Sequence, residues 1–209
     1  ETLDLTKISG FENVSTDNSN TLQAGNTVNV WEITSDNKGS VKQGTADAIS
    51  FDGFTDLMGG TLKDPFSVAA AINSITTGTG EDEVTITDAV ADGAIDSLDL
   101  GASNDTLKIA NMASVSNVID GGNGNDTLEL TGTDETLALA QISGFESVST
   151  DNSNTLQADN TVNVWQLTSD NQGSVKQGTA DAISFDGFTD LMGGSEKDTF
   201  SVAAAINSI

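Results

Sequence analysis

The sequence has no cysteine, histidine, tyrosine or arginine, a single proline, and only seven cationic side chains, all of them lysine. Each absence excludes something. Without cysteine there is no disulfide framework and no zinc site of the usual thiolate kind. Without histidine, cysteine, tyrosine and arginine the common nucleophile–base pairs and phosphate clamps cannot be assembled. No run of eighteen apolar residues exists, so no membrane insertion is expected, and no secretion signal stands at the start. Sustained three-and-four spacing of apolar residues is missing too, which argues against long helices. The stretch from Ala69 to Ile75 is expected to form one short helical turn at most.

What the chain has in excess is acid. It carries 32 aspartates and glutamates and a formal charge of −25 over 209 residues. Such a chain repels nucleic acid and anionic membrane surfaces and attracts cations. High charge with modest hydrophobicity also suits disorder. Regularly spaced apolar-x-apolar pairs argue instead for short strands, provided something neutralises the carboxylates.

The pattern is plainest at Gly121-Gly122-Asn123-Gly124-Asn125-Asp126-Thr127-Leu128-Glu129-Leu130. This is a glycine-rich turn, an aspartate, then two apolar positions on one strand face. Glycines permit positive φ and let backbone carbonyls approach an ion. The aspartate supplies the hard oxygen that calcium prefers. Weaker versions place Asp105 before Leu107 and Ile109, Asp82 before Val84 and Ile86, Asp64 before Phe66 and Val68, and Asp198 before Phe200 and Val202. The steps Asp64, Asp82, Asp105, Asp126 are about the length of one short parallel coil. Stacked coils sit about 4.8 Å apart, so aspartates at one corner would repel by ~3 kcal/mol per pair at an effective dielectric of 20. A cation between rungs would turn that repulsion into coordination; solvated turn aspartates held by local hydrogen bonds are the alternative.

A longer repeat encloses this one. Residues 1–75 and 135–209 align without a gap and differ at eleven positions. The chain thus reads as one complete unit, 1–134, and the first part of a second, 135–209. It begins at a glutamate and ends mid-pattern at Ile209, as a piece of a longer array would. Leu62 stands opposite Glu196 in the two copies, which implies an exposed turn. The unit length divided by the short step gives about six coils, or ~29 Å of advance at 4.8 Å each. In the coil from 101 to 121, the expected core residues are Leu107, Ile109, Met112, Val115, Val118 and Ile119. In Thr27–Thr34, Val28 and Val30 share one face, and Trp31 and Ile33 the other. This suggests a bend between Val30 and Trp31, with the indole, like that of Trp165, packed at a corner.

The order Asn-x-Trp-x-(Ile/Leu)-Thr-Ser-x-Asn-x-Gly-Ser-Val, then Phe-Asp-Gly-Phe-x-Asp-Leu, then Gly-Gly-x-x-x-Asp-x-Phe resembles the repeats of giant bacterial surface proteins. These are RTX-like and haemagglutinin-like adhesins, surface-layer proteins and extracellular matrix fibres. The resemblance covers nearly the whole chain, although only Gly121–Asp126 keeps the full glycine signature. It implies an all-β fold, a right-handed parallel β-solenoid with coils of about 20 residues. It also implies export to the cell surface and calcium-assisted folding. The candidate calcium ligands are Asp126, Gly122, Asn123, Gly124, Asp105, Asp82, Asp64, Asp198 and Asp120. The expected function is non-enzymatic: a structural repeat that builds a fibre, stalk or surface layer from copies of itself. The rival reading is an adhesin module that binds glycans or a partner-cell protein.

Overall fold

The computed structural model describes residues 1–151 and 153–209. The chain is all-β. Alternating apolar and polar residues give short strands whose inward side chains fall on one face. The first block comprises β1 (Thr2–Asp4), β2 (Asn13–Gln23), β3 (Asn29–Ser35), β4 (Lys38–Gln43) and β5 (Ile49–Met58). Short strands follow: β6 (Pro65–Val68), β7 (Ser74–Thr76), β8 (Glu83–Ile86), β9 (Ser97–Asp99), β10 (Thr106–Ile109), β11 (Ile119–Asp120) and β12 (Thr127–Leu130). Next come β13 (Thr136–Ala138), β14 (Ile142–Ser143), β15 (Ser147–Thr150) and β16 (Thr155–Gln157). The last are β17 (Asn163–Ser169), β18 (Gln172–Gln177), β19 (Ala182–Asp186), β20 (Asp190–Met192) and β21 (Thr199–Val202).

From β6 to β12 the chain alternates between two rows of parallel strands, whereas β13, β16 and β20 form a separate parallel sheet. One row pairs β6, β8, β10, β12 and β15 in that order. The other pairs β5, β7, β9, β11 and β14. Register is strict: Phe66, Val84, Leu107, Leu128 and Val148 lie side by side, as do Leu57, Ile75, Leu98, Ile119 and Ile142. All ten are buried in one hydrophobic core. A one-residue slip would turn each of these side chains to solvent, so the apolar pattern itself sets the register. Strands β2 and β5 run through both rows and join them into one large sheet. Both strands turn the corner beside Gly53, whose φ is +83° and whose missing Cβ would lie 2.2 Å from the Thr16 carbonyl oxygen.

Several expectations are corrected. No bend separates Val30 from Trp31. Strand β3 alternates without interruption, with Asn29, Trp31 and Ile33 inside and Val30 outside. Asn29 takes an inward position because its polar groups are all bonded there, as described below. The chain then departs from the parallel pattern. Strands β3, β4 and β5 form an antiparallel meander, and β17, β18 and β19 repeat it. The turn between β3 and β4 has Asn37 at φ +56°, and Asn171 repeats this at +57°, a left-handed position that asparagine tolerates. Each indole is fully buried, stacked on Phe66 or Phe200 with ring centroids 5.2 or 5.3 Å apart and met edge-on by Phe51 or Phe185.

The meander changes the length of the repeat. Along the main row the strands run β2, β5, β4, β3, β6, β8, β10, β12 and then β15, the counterpart of β2 in the second copy. Along this row one period therefore adds eight strands, or about 38 Å at 4.8 Å per strand, because the meander places three strands in a single coil and leaves about six coils per unit. Residues Ala69–Ile75 form no helical turn; they lead into β7. Leu62 is exposed, as its exchange with Glu196 requires. Of the six core residues expected between 101 and 121, five are buried and Val118 is not, being 50% exposed. Ile119, one residue later, takes the inward position in β11. Ile119→Ala is therefore expected to cost about 2–5 kcal/mol, whereas Val118→Ala should stay within about 0.5 kcal/mol. Urea denaturation of the two variants measures the contrast.

Candidate functional site

The aspartate that opens each strand of the main row does not face solvent. Asp64, Asp82, Asp105 and Asp126 are all buried and stand one above another. The backbone N–H of the residue just before each strand needs a partner, and the carboxylate one rung ahead supplies it. The Asp64 N–H donates to Asp82 Oδ1 at 2.6 Å, the Asp82 N–H to Asp105 Oδ1 at 2.7 Å, and the Asp105 N–H to Asp126 Oδ1 at 2.7 Å. The Asp126 N–H continues the chain to Glu146 Oε2 at 2.7 Å. At the other end the backbone N–H and the Nδ2 of Asn29 both donate to Asp64 Oδ1 at 2.7 Å. Hydrogen bonds to a charged acceptor are short and strong.

Only half of each carboxylate is used in this way. Asp64 Oδ2 accepts from the Gly60 N–H. The Oδ2 atoms of Asp82, Asp105 and Asp126 are buried with no hydrogen-bond partner. Thr77 lies beside Asp82, but its hydroxyl donates to the Leu100 carbonyl. Burial raises the pKa of all four aspartates above the ordinary carboxylate value. It pushes Asp105 up to about 7, opposed by the Asp82 N–H and reinforced by the charges of Asp82, Asp126 and Asp99. For Asp126 the charges of Glu146 and Asp120 add to burial; for Asp82, Lys63 acts in the opposite sense.

The other candidate ligands flank this column. Gly122 has φ +92°, and a Cβ there would sit 2.0 Å from the Gly101 carbonyl oxygen, so this turn requires glycine. The Asn123 N–H donates to the Gly101 carbonyl at 2.9 Å, and its own carbonyl accepts from Ser103 at 2.8 Å. Gly124 lies directly over Ser103. Asp120 lies on the outer side of the same turn, beside Asp99 in register. It accepts from the Gly122 N–H at 3.1 Å and the Ser143 hydroxyl at 3.0 Å. Asp198 belongs to a separate place, the second copy's equivalent of Asp64. Its Oδ1 accepts from the N–H and the Nδ2 of Asn163 at 3.1 and 2.8 Å, and its Oδ2 from Gly194 at 2.9 Å. Among the described residues no three acidic side chains converge in a way that could hold a metal ion.

Asn29, Glu146 and Asp99 are members of this corner that the sequence reading did not name. Two carried a readable signal. Asn29 precedes Val30-Trp31-Glu32-Ile33, and Glu146 precedes Ser147-Val148-Ser149-Thr150. Each holds the position of the aspartate in its own strand motif, with another side-chain oxygen in place of the aspartate's.

No family model matches the chain, and no match was found among curated proteins or solved structures.

The arrangement can take up protons. Asp105 carries its proton in the folded chain up to a pH of about 7 but loses it near 3.8 when unfolded. Between those values the folded state binds more protons, so this contribution is complete at the low end and vanishes as pH rises through 7. Metal-free protein should therefore melt several degrees higher at pH 5.5 than at pH 8, since each kcal/mol moves Tm by about 2–4 °C. Below about pH 4 the trend should reverse, because Asp4, Asp17, Asp56 and Asp190 have lowered values. Asp105→Asn keeps the acceptor oxygen and removes the charge. It should raise the pH 8 melting temperature and flatten the dependence; a variant no more stable at pH 8 contradicts the assignment.

Proposed function

We propose that this chain is a non-catalytic structural segment of a large secreted surface protein, built from tandem units that stack as a right-handed parallel β-solenoid. The observation that carries this reading is the in-register column of buried carboxylates, each clipping the backbone of the rung before it. Such a column has no use as an isolated site, because every member acts on a neighbouring rung. The parallel rows and the near-identity of 1–75 with 135–209 support continuation of the same stack from unit to unit. Each rung buries too few apolar side chains to stand alone, as is general for stacked repeats. The resemblance to RTX-like repeats of adhesins, surface layers and matrix fibres fits an extracellular place, where calcium is abundant.

The donor set is chemically suited to calcium, which takes carboxylate and carbonyl oxygens and tolerates irregular coordination. The Oδ2 atoms of Asp82, Asp105 and Asp126 are the buried oxygens without a partner, and they would hold the ion, with Asp120 and the Gly122–Gly124 turn alongside. A bound cation supplies positive charge between stacked carboxylates. The residues themselves orient the oxygens, exclude water from them and keep Oδ1 on the backbone. Because no three acids converge, the ion would sit between rungs and complete its shell with carbonyls and water.

Calcium is expected to raise the melting temperature, by about 2.7 kcal/mol of stabilisation at a hundredfold excess over Kd, and magnesium to do so poorly. Asp126→Ala should weaken the response more than Asp64→Ala, whose target already bonds both oxygens. Calorimetry without binding heat at millimolar calcium sinks the calcium half of this reading. The architectural half has its own measurement. Small-angle scattering from chains of two and three full units should differ in maximum length by about 38 Å, from eight strands at 4.8 Å. A flexible string of separate beads would defeat it.

A further inference from the structure

Resting on that stacked reading, we infer that the face carrying Leu3, Ile8, Phe11, Glu12, Val14 and Thr16 is a docking surface for another unit of the same repeat. The segment it takes is the strand–turn–strand of residues 119–130. The internal duplication supplies the argument, since the same face occurs twice in one chain, once bare and once covered. Phe11 is 57% exposed, whereas its counterpart Phe145 is 4% exposed. Leu3, Ile8 and Val14 are only partly buried, whereas Leu137, Ile142 and Val148 are buried. The sequences of the two faces are nearly the same, so what differs is the cover. In the second copy the cover is β11 and β12: Ile119 pairs with Ile142, Leu128 with Val148 and Leu130 with Thr150.

The polar partners are as specific as the apolar ones. Glu146 accepts the Asp126 N–H at 2.7 Å, and the Thr150 hydroxyl donates to the Leu130 carbonyl at 2.8 Å. Glu12 and Thr16 occupy the same positions in the first copy. Docking therefore places Ile119 of the incoming unit on Ile8, its Leu128 on Val14 and its Asp126 N–H on Glu12. The incoming unit's aspartate column is then closed on Glu12, as the column within the chain is closed on Glu146. The surface recognises an Ile-Asp, glycine-turn, Asp-Thr-Leu-x-Leu strand pair laid down in parallel. A one-residue slip would bring Thr127 or Glu129 over Val14, and an in-register apolar pattern penalises that.

The test joins residues 76–134 ahead of Glu1 in the full chain, so that Asp134 precedes Glu1 as it precedes Glu135. Phe11→Trp reports the docking. The background is silent to quenching, because Trp31 and Trp165 are fully buried. Acrylamide quenching of the residue-11 indole should fall at least about threefold when the segment is joined. Amide exchange at Asn13 and Ser15 should slow by about 100-fold, the range that separates open edges from core strands, since the N–H of Ser147, the counterpart of Asn13, donates to the Asp126 carbonyl in the covered copy. That exchange is also read with Phe11 intact, in case tryptophan is too large for the covered site. Ile119→Asp with Leu128→Asp, placed in the joined segment alone, should restore both signals to those of the bare face. Unchanged quenching and exchange on joining overturn the inference. A parallel Phe145→Trp variant separates this from failure of the stacked reading. If residue 145 is protected while residue 11 stays open, only the docking surface is lost. If both are open in solution, the continuous stack itself fails.

Discussion

The hydrogen bond from one aspartate's backbone N–H to the next aspartate's carboxylate is the contact on which the rest of the stack depends. Parallel strands of two to four residues make few ladder bonds, and each strand of the main row follows a turn whose last N–H, that of the aspartate, has no backbone partner. Filling that vacancy with a carboxylate one rung ahead fixes the rung spacing and the register together. It also explains why the aspartate sits two residues before the first of the two inward apolar residues in every copy of the motif. Moved by one position, its carboxylate would face solvent, and the N–H would be left buried and unpaired, at a cost of about 1–3 kcal/mol.

The same contact creates the electrostatic difficulty of the fold. Oxygens turned inward to meet the backbone are desolvated, and four carboxylates in one column repel each other. The chain limits the column at both ends with side chains other than aspartate. Asn29 closes one end with two donors on a single carboxylate oxygen, and Glu146, on a longer side chain, ends the run of aspartates at the other. In between, three carboxylate oxygens remain unpartnered among the described residues, and protonation or a bound cation would relieve them. Outside the column, Lys108 sits between Glu83 and Glu129 at 3.6 and 4.0 Å, but these ion pairs are half exposed and contribute little.

The legible parts of the fold were those written in short periods. The Asp-x-apolar-x-apolar motif located β6, β8, β10 and β12 and the steps between them, because inward alternation and turn glycine leave direct marks in sequence. The meander of β3, β4 and β5 was not legible in the same way. Its marks are Ser35-Asp36-Asn37-Lys38, a turn that many loops share, and an alternation in β3 that begins on a polar residue. Counting only apolar positions placed Val30 inside a bent strand; Asn29 belongs inside because three of its hydrogen bonds end on the buried Asp64 carboxylate and the Gly25 carbonyl. The two extra strands of the main row are that meander, which a count of coil lengths does not register. Val118 illustrates a smaller version of the same limit, since adjacent Val118 and Ile119 are equally apolar and only strand register decides between them.

At the site, the residue types were legible and their orientation was not. A glycine turn followed by aspartate is compatible with a carboxylate pointing out to an ion within its own turn or in toward the neighbouring rung. Sequence spacing does not distinguish the two, because the choice depends on whether the next rung presents a backbone N–H at the right height. Here it does, at every step from Asp64 to Glu146. That orientation makes each aspartate's environment a property of two rungs instead of one. Substituting one member changes the hydrogen bond of the residue before it and the charge felt by the residue after it. The column consequently titrates as a coupled set, and the environment of any one position depends on how many rungs lie on either side.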